Sequence, residues 1–226
     1  MSVKRYSVTD TTAAHFETLK VVLETTAAEY FTSYVLSEDK LTLRCMDGEN
    51  PLLTFSGAAT SSGVKLTSVT LSGDNVTQAF QLATQSSYMI SVVTTAGAGC
   101  ALKIKQMSNN AKSRPYGIFI TKTNKGKTAV CIDPDALAVG TTNLYKAGWC
   151  ATSESTEMSK VAAQTTIVLP FELPYTSIVN VVCSGVDDYC PDLYVTPTSP
   201  YSGVEGIIDI GGKSYLYSGA YALLDE

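Results

Sequence analysis

Gly117-Ile118-Phe119-Ile120-Thr121-Lys122-Thr123-Asn124-Lys125-Gly126-Lys127-Thr128-Ala129-Val130-Cys131-Ile132 reads as a β-hairpin. Two runs rich in β-branched and aromatic residues, 117–123 and 128–132, flank Asn124-Lys125-Gly126. A short Gly-containing break between such runs is the local signature of antiparallel pairing. The same grammar recurs on the N-terminal side. Leu41, Leu43 and Cys45 alternate with Thr42 and Arg44 until Asp47-Gly48-Glu49-Asn50-Pro51 breaks the run. Strands are expected at 52–55, 64–71 and 79–83, separated by Ser61-Ser62-Gly63 and Ser72-Gly73-Asp74-Asn75. A further pair, 88–94 and 100–106, turns through Thr95-Ala96-Gly97-Ala98-Gly99. On the C-terminal side, strands fall near 165–169, 178–183 and 193–196. A last hairpin joins 206–210 to 213–217 at Gly211-Gly212, and 220–224 closes the chain.

One segment keeps a different period. Phe16, Leu19, Leu23, Ala27, Tyr30 and Tyr34 recur three or four residues apart, as on one face of a helix. Asp10, Thr11 and Thr12 offer N-cap oxygens just before it, and its threonines lower helix propensity toward 31–35. The expected fold class is mainly β with an N-terminal helix, the strands forming antiparallel sheets or a β-sandwich. Ser108-Asn109-Asn110-Ala111-Lys112-Ser113, followed by Pro115, is a linker or a long surface loop. As a linker it divides the chain into a helix-plus-β domain at 1–107 and a β domain at 114–226.

Composition narrows the function classes. Of the 226 residues only 16% are charged, against roughly 25% in an average domain. Ser and Thr fill the place of charge, and 13 Tyr outnumber 6 Phe and 1 Trp. The net charge is −5 and no Lys/Arg stripe is present, so the counterion release that drives nucleic-acid binding has no footing. Lys122, Lys125 and Lys127 read as a solvated hairpin tip. The six cysteines, at 45, 100, 131, 150, 183 and 190, form no CxxC pair. Cys45, Cys100, Cys131 and Cys183 lie in apolar runs, where Cys behaves as a small hydrophobe. The start, MSVKRYSVTDTT, lacks the apolar core of a signal peptide. No apolar run approaches the ~18 residues of a membrane span. The expectation is synthesis in a reducing cytosol, buried thiols and no membrane insertion.

Groupings that could carry chemistry fail on spacing. Gly126-Lys127-Thr128 has the end of a phosphate-binding loop, but position 121, where the first glycine belongs, is Thr. His15 is the only histidine, and a general base needs an orienting partner and a nucleophile. Ser62-Gly63-Val64-Lys65 matches an SxxK spacing that a Ser-rich chain produces by chance. Cys183, Asp187, Asp188, Cys190 and Asp192 gather thiolates and carboxylates without histidine or tight pairing, and read as an acidic loop with a buried Cys. The expectation is no catalytic residue, no metal and no cofactor. Tyrosines remain: Tyr194, Tyr201, Tyr215, Tyr217 and Tyr221 crowd the last part of the chain, and a ring with a polar tip suits an interface.

The run Glu29-Tyr30-Phe31-Thr32-Ser33, with Ser37-Glu38-Asp39-Lys40-Leu41-Thr42-Leu43-Arg44-Cys45, resembles the opening of small virion structural proteins of phages and prophages of Gram-positive gut bacteria. Residues 117–126 are similar to theirs, as are Asp192-Leu193-Tyr194-Val195-Thr196-Pro197 and the ending from Gly211 to Asp225. The chain departs from that pattern beside Tyr221, where Ala220 and Ala222 stand in place of a tryptophan. The resemblance implies a non-enzymatic bacteriophage virion component of tail, baseplate, neck or capsid surface. Such a protein is made in the host cytoplasm, resides in the virion, and assembles as a symmetric oligomer with copies of itself and other virion proteins. The alternative is a receptor- or carbohydrate-binding module whose tyrosines contact a host-surface glycan; a cell-wall hydrolase stands third.

Overall fold

A computed structural model describes residues 6–9, 15–61, 63–72, 77–81, 88–95, 99–106, 116–132, 149–152, 159–160, 179–183, 188–195, 205–210, 212–218 and 221–225. The chain is mainly β, with an N-terminal helix and antiparallel sheets among the described residues. After β1 (Tyr6–Thr9) comes α1 (His15–Thr26), followed by β2 (Ser33–Leu36), β3 (Thr42–Asp47), β4 (Asn50–Thr60), β5 (Gly63–Ser72) and β6 (Thr77–Gln81). Then come β7 (Tyr88–Thr94), β8 (Cys100–Gln106), β9 (Tyr116–Lys122), β10 (Thr128–Ile132), β11 (Trp149–Thr152) and β12 (Ser159–Lys160). The last strands are β13 (Val179–Cys183), β14 (Asp188–Val195), β15 (Glu205–Ile210), β16 (Lys213–Ser218) and β17 (Tyr221–Leu224). The expected strand at 165–169, the capping residues 10–12 and the stretch 108–113 lie outside the described residues.

Strands β2 to β6 form a meander in chain order. A seven-stranded sheet runs β1-β7-β8-β9-β10-β11-β12, and a third sheet runs β13-β14-β17-β16-β15. The predicted hairpin lies inside the seven-stranded sheet, with Ile118 opposite Ile132 and Lys122 opposite Thr128. Its turn closes with Thr123 N–H donating to the Lys127 carbonyl at 2.8 Å and Gly126 N–H donating to the Thr123 carbonyl at 2.8 Å. Gly126 takes φ 78, which a side chain would oppose. Strand β8 pairs with β9 from Cys100↔Ile120 to Ile104↔Tyr116. Strands from both sides of 108–113 therefore belong to one sheet.

The middle strands of this central sheet, β8 to β10, are buried on both faces. Cys100, Leu102, Ile118, Ile120 and Val130 join a core with Phe16, Leu19 and Leu23 of α1 and with Leu43, Leu53, Phe55 and Leu71 of the first meander. The residues between them, Ala101, Phe119, Ala129 and Cys131, join a second core with Cys190, Leu193 and Leu223 of the third sheet. Alternate residues of one strand thus serve two cores, as the period of two requires. A strand buried on both sides reads as an unbroken apolar run, which is the character of 117–121 and 128–132.

The helix is shorter than its spacing suggests. It ends at Thr26, where the Thr25 and Thr26 hydroxyls donate to the Val21 and Val22 carbonyls, each at 2.8 Å. Such side-chain bonds compete with further helix. A turn through Ala27–Tyr30 follows, and Tyr34 lies in β2 with its hydroxyl donating back to the Ala27 carbonyl at 2.7 Å. Pro51, read as part of a break, is inside β4, opposite Met46 at the register shift after Cys45. An irregular ladder tolerates its missing N–H. Of the segment expected as an acidic loop, Cys183 and residues 188–192 are strand, with Asp188 opening β14 opposite Cys183, and Asp187 lies outside the described residues. There the register jumps, Asn180 facing Tyr194 while Val181 faces Cys190. Skipping residues 191–193 reverses the parity, so Cys190 and Leu193 both enter the second core.

Candidate functional site

Three regions could serve a partner or a reaction. The first is the third sheet, which carries four of the five predicted interface tyrosines. Asn180, Tyr194, Ala222, Tyr217 and Gly206 stand in one cross-strand row over all five strands. Tyr215 lies two residues along, opposite Ile208 and Leu224, and Tyr221 falls out of step with the row, opposite Val195 and Ser218. The Tyr215 side chain is 6% exposed, so its ring is interior in the single chain. Tyr201 lies outside the described residues.

The second region is a polar seam where the chain after α1 meets the central hairpin. Thr128 is buried, and its hydroxyl donates to the Tyr30 carbonyl while accepting from Lys122 Nζ at 2.8 Å. That ammonium stands 5.5 Å from the centre of the Tyr30 ring, a cation–π placement. Burial, then the charge and hydrogen bond of Glu29, push the Tyr30 phenol well above its ordinary value, with Cys100 and Asp192 adding to the shift. Asp192 of β14 is itself raised by burial, with Lys213 opposing and Cys190 reinforcing. The seam therefore gathers groups from the turn after α1, the central sheet and the third sheet. Its tyrosine is held protonated, and its lysine is committed to Thr128 and the ring. The spacing Thr121-Lys122-Thr123 with Thr128 was visible in the sequence, but only as a hairpin tip; its partner Tyr30 is 98 positions from Thr128.

The third region is the outward face of the β2–β6 meander. One row runs Val35, Arg44, Thr54, Thr70 and Ala79, and a second runs Thr42, Ser56, Ser68 and Gln81. Val35 and Arg44 are exposed, and Thr42, Thr54, Ser56, Ser68 and Thr70 are half-buried. The other side of the same strands holds Leu43, Cys45, Leu53, Phe55, Val69 and Leu71, all buried. This face carries hydroxyls and one guanidinium, the chemistry of a hydrogen-bonding contact surface.

The residues with reactive chemistry go to the interior. His15 is buried at the first position of α1, its ring centroid 4.9 Å from that of Phe16. Burial raises the Cys45 thiol, with Cys100 adding to it, and pushes the Cys100 thiol up to about 12. Thiols so held are poor nucleophiles. Among the described residues no group of three or more His, Cys, Asp or Glu is placed to hold a metal ion. None of the described helices is long and apolar enough to cross a membrane. Comparison with protein families, with characterised proteins and with solved structures returns no match to this chain.

Proposed function

We propose that this chain is a bacteriophage virion structural protein that acts by assembly into a symmetric oligomer, not by catalysis. The observation that carries the reading is the Ser/Thr face of the β2–β6 meander, whose two rows hold a single charged side chain, Arg44. A surface of that kind pairs by hydrogen bonds and packing and meets little charge repulsion from a second copy. The burial of His15 and of the Cys45 and Cys100 thiols supports the non-enzymatic half of the reading. Closed rings are the symmetric solutions for such a subunit. The family-like segments supply the virion assignment. A reconstruction of the particle made by a phage that encodes this chain tests it. The prediction is density for several copies with the Thr54–Thr70 face covered; a particle that lacks the chain overturns the proposal.

A tyrosine-mediated glycan contact is the second reading, favoured by the row that sets Tyr194 and Tyr217 on either side of Ala222. Binding to a glycan array that disappears in Tyr217→Ala would support it, and an array with no signal would remove it.

A further inference from the structure

We infer that Cys131 and Cys150 form a cross-strand disulfide when the protein meets a small-molecule disulfide. The two residues are direct register partners on β10 and β11, between Val130↔Ala151 and Ile132↔Trp149. Directly opposed residues of an antiparallel pair have Cα atoms about 4.5 or 5.5 Å apart. Both spacings fall in the range of about 4.4–6.8 Å that a disulfide spans. The other thiols lack that placement. Cys45 and Cys100 sit on different sheets, and Cys190 shares a core with Cys131 but belongs to the third sheet.

Access is provided by the end of the sheet. Cys131 is buried; among the described residues β11 pairs on its far side with the two-residue strand β12, through Trp149↔Lys160 and Cys150↔Ser159, and it also lies close to β5 and β13. So short a pairing opens at low cost. The thiolate of one cysteine attacks a sulfur of the small disulfide, forming a mixed disulfide and releasing one thiolate. The second cysteine then attacks the protein sulfur of that mixed disulfide and releases the other. Two protein thiols are oxidised, the small disulfide is reduced to two thiols, and these take up both protons. The product fixes β11 to β10 and closes a loop through residues 132–149.

The test is equilibration of the full chain in a buffer of reduced and oxidised glutathione, alkylation of the remaining thiols, and peptide mapping by mass spectrometry. The expected result is an intact mass lower by two hydrogens and a linked peptide joining Cys131 to Cys150. Melting of the oxidised protein should rise by about 5–10 °C over the reduced form, and Cys150→Ser should abolish the rise. Refolding from denaturant in the same buffer removes burial as an obstacle. A dominant Cys131–Cys190 or Cys45–Cys100 bond, or alkylation of all six cysteines after that refolding, overturns the inference.

Discussion

Gly99, just before β8, lies against Ile120 of the central sheet and Leu223 of the third sheet. A Cβ there would lie 2.5 Å from the Ile120 carbonyl oxygen and 3.1 Å from Leu223 Cδ1. The first of these is backbone, in the middle of a ladder, and cannot step aside as a side-chain tip would. Gly99→Ala should cost about 1–3 kcal/mol and lower the melting temperature by roughly 2–10 °C, measured by calorimetry. Thr128 tests the polar seam at the same scale. Thr128→Val keeps the shape but removes the donor to the Tyr30 carbonyl and the acceptor for Lys122. A loss of about 1–3 kcal/mol is expected in urea unfolding, while Thr18→Val at an exposed position of α1 should change little.

Buried acids give the pH dependence its sign. Cys45 and Cys100 start from an ordinary value of 9.0 and are raised in the fold by burial, Cys100 to about 12. The folded state then holds protons that the unfolded chain has released. Their contribution is fully present below pH 9 and is lost as pH rises toward 12; Tyr30 and Tyr34, also raised by burial, act in the same direction. The urea midpoint should be level between pH 7 and 8.5 and fall steeply above pH 9.5. A midpoint unchanged at pH 10.5 would contradict this burial.

At the scale of elements, α1 divides cleanly by face. Leu19 is fully buried and Val21 is 60% exposed. Leu19→Ala should cost about 2–5 kcal/mol and Val21→Ala less than about 0.5 kcal/mol, compared by chemical denaturation. The sequence announced this face through Phe16, Leu19 and Leu23, but the same spacing ran on to Tyr30 and Tyr34, which belong to a turn and a strand. Both tyrosines still face the core, because a strand returning beside the helix can bury alternate residues as readily as another helical turn. Period alone does not separate the two. Most strands were legible because apolar and polar residues alternate between turn signals, as in Leu43 and Cys45 or in the last hairpin. Strands β11 and β12 were missed: their ladder covers only a few residues, too few to show a period.

Across the whole molecule, the seven-stranded sheet is the part least legible from local pattern. The runs 117–121 and 128–132 carry apolar residues at successive positions, and only two covering layers explain why neither face is polar. The polar stretch 108–113 read equally as a linker or a long surface loop, and the ladder shared by β8 and β9 on either side of it left no sign in the sequence. Pairing between strands far apart in sequence leaves no local mark. The candidate interface tyrosines were legible as composition only. A cluster of tyrosines near the end of the chain was plain, but not that Tyr215 is interior, nor that Tyr194 and Tyr217 align across Ala222.

That the protein works through contacts between copies is tested most directly by mass photometry of the purified full chain over a range of concentrations. The expected result is one discrete species at a small whole multiple of 24.0 kDa, consistent with a closed ring. A 24.0 kDa monomer at every concentration would contradict it.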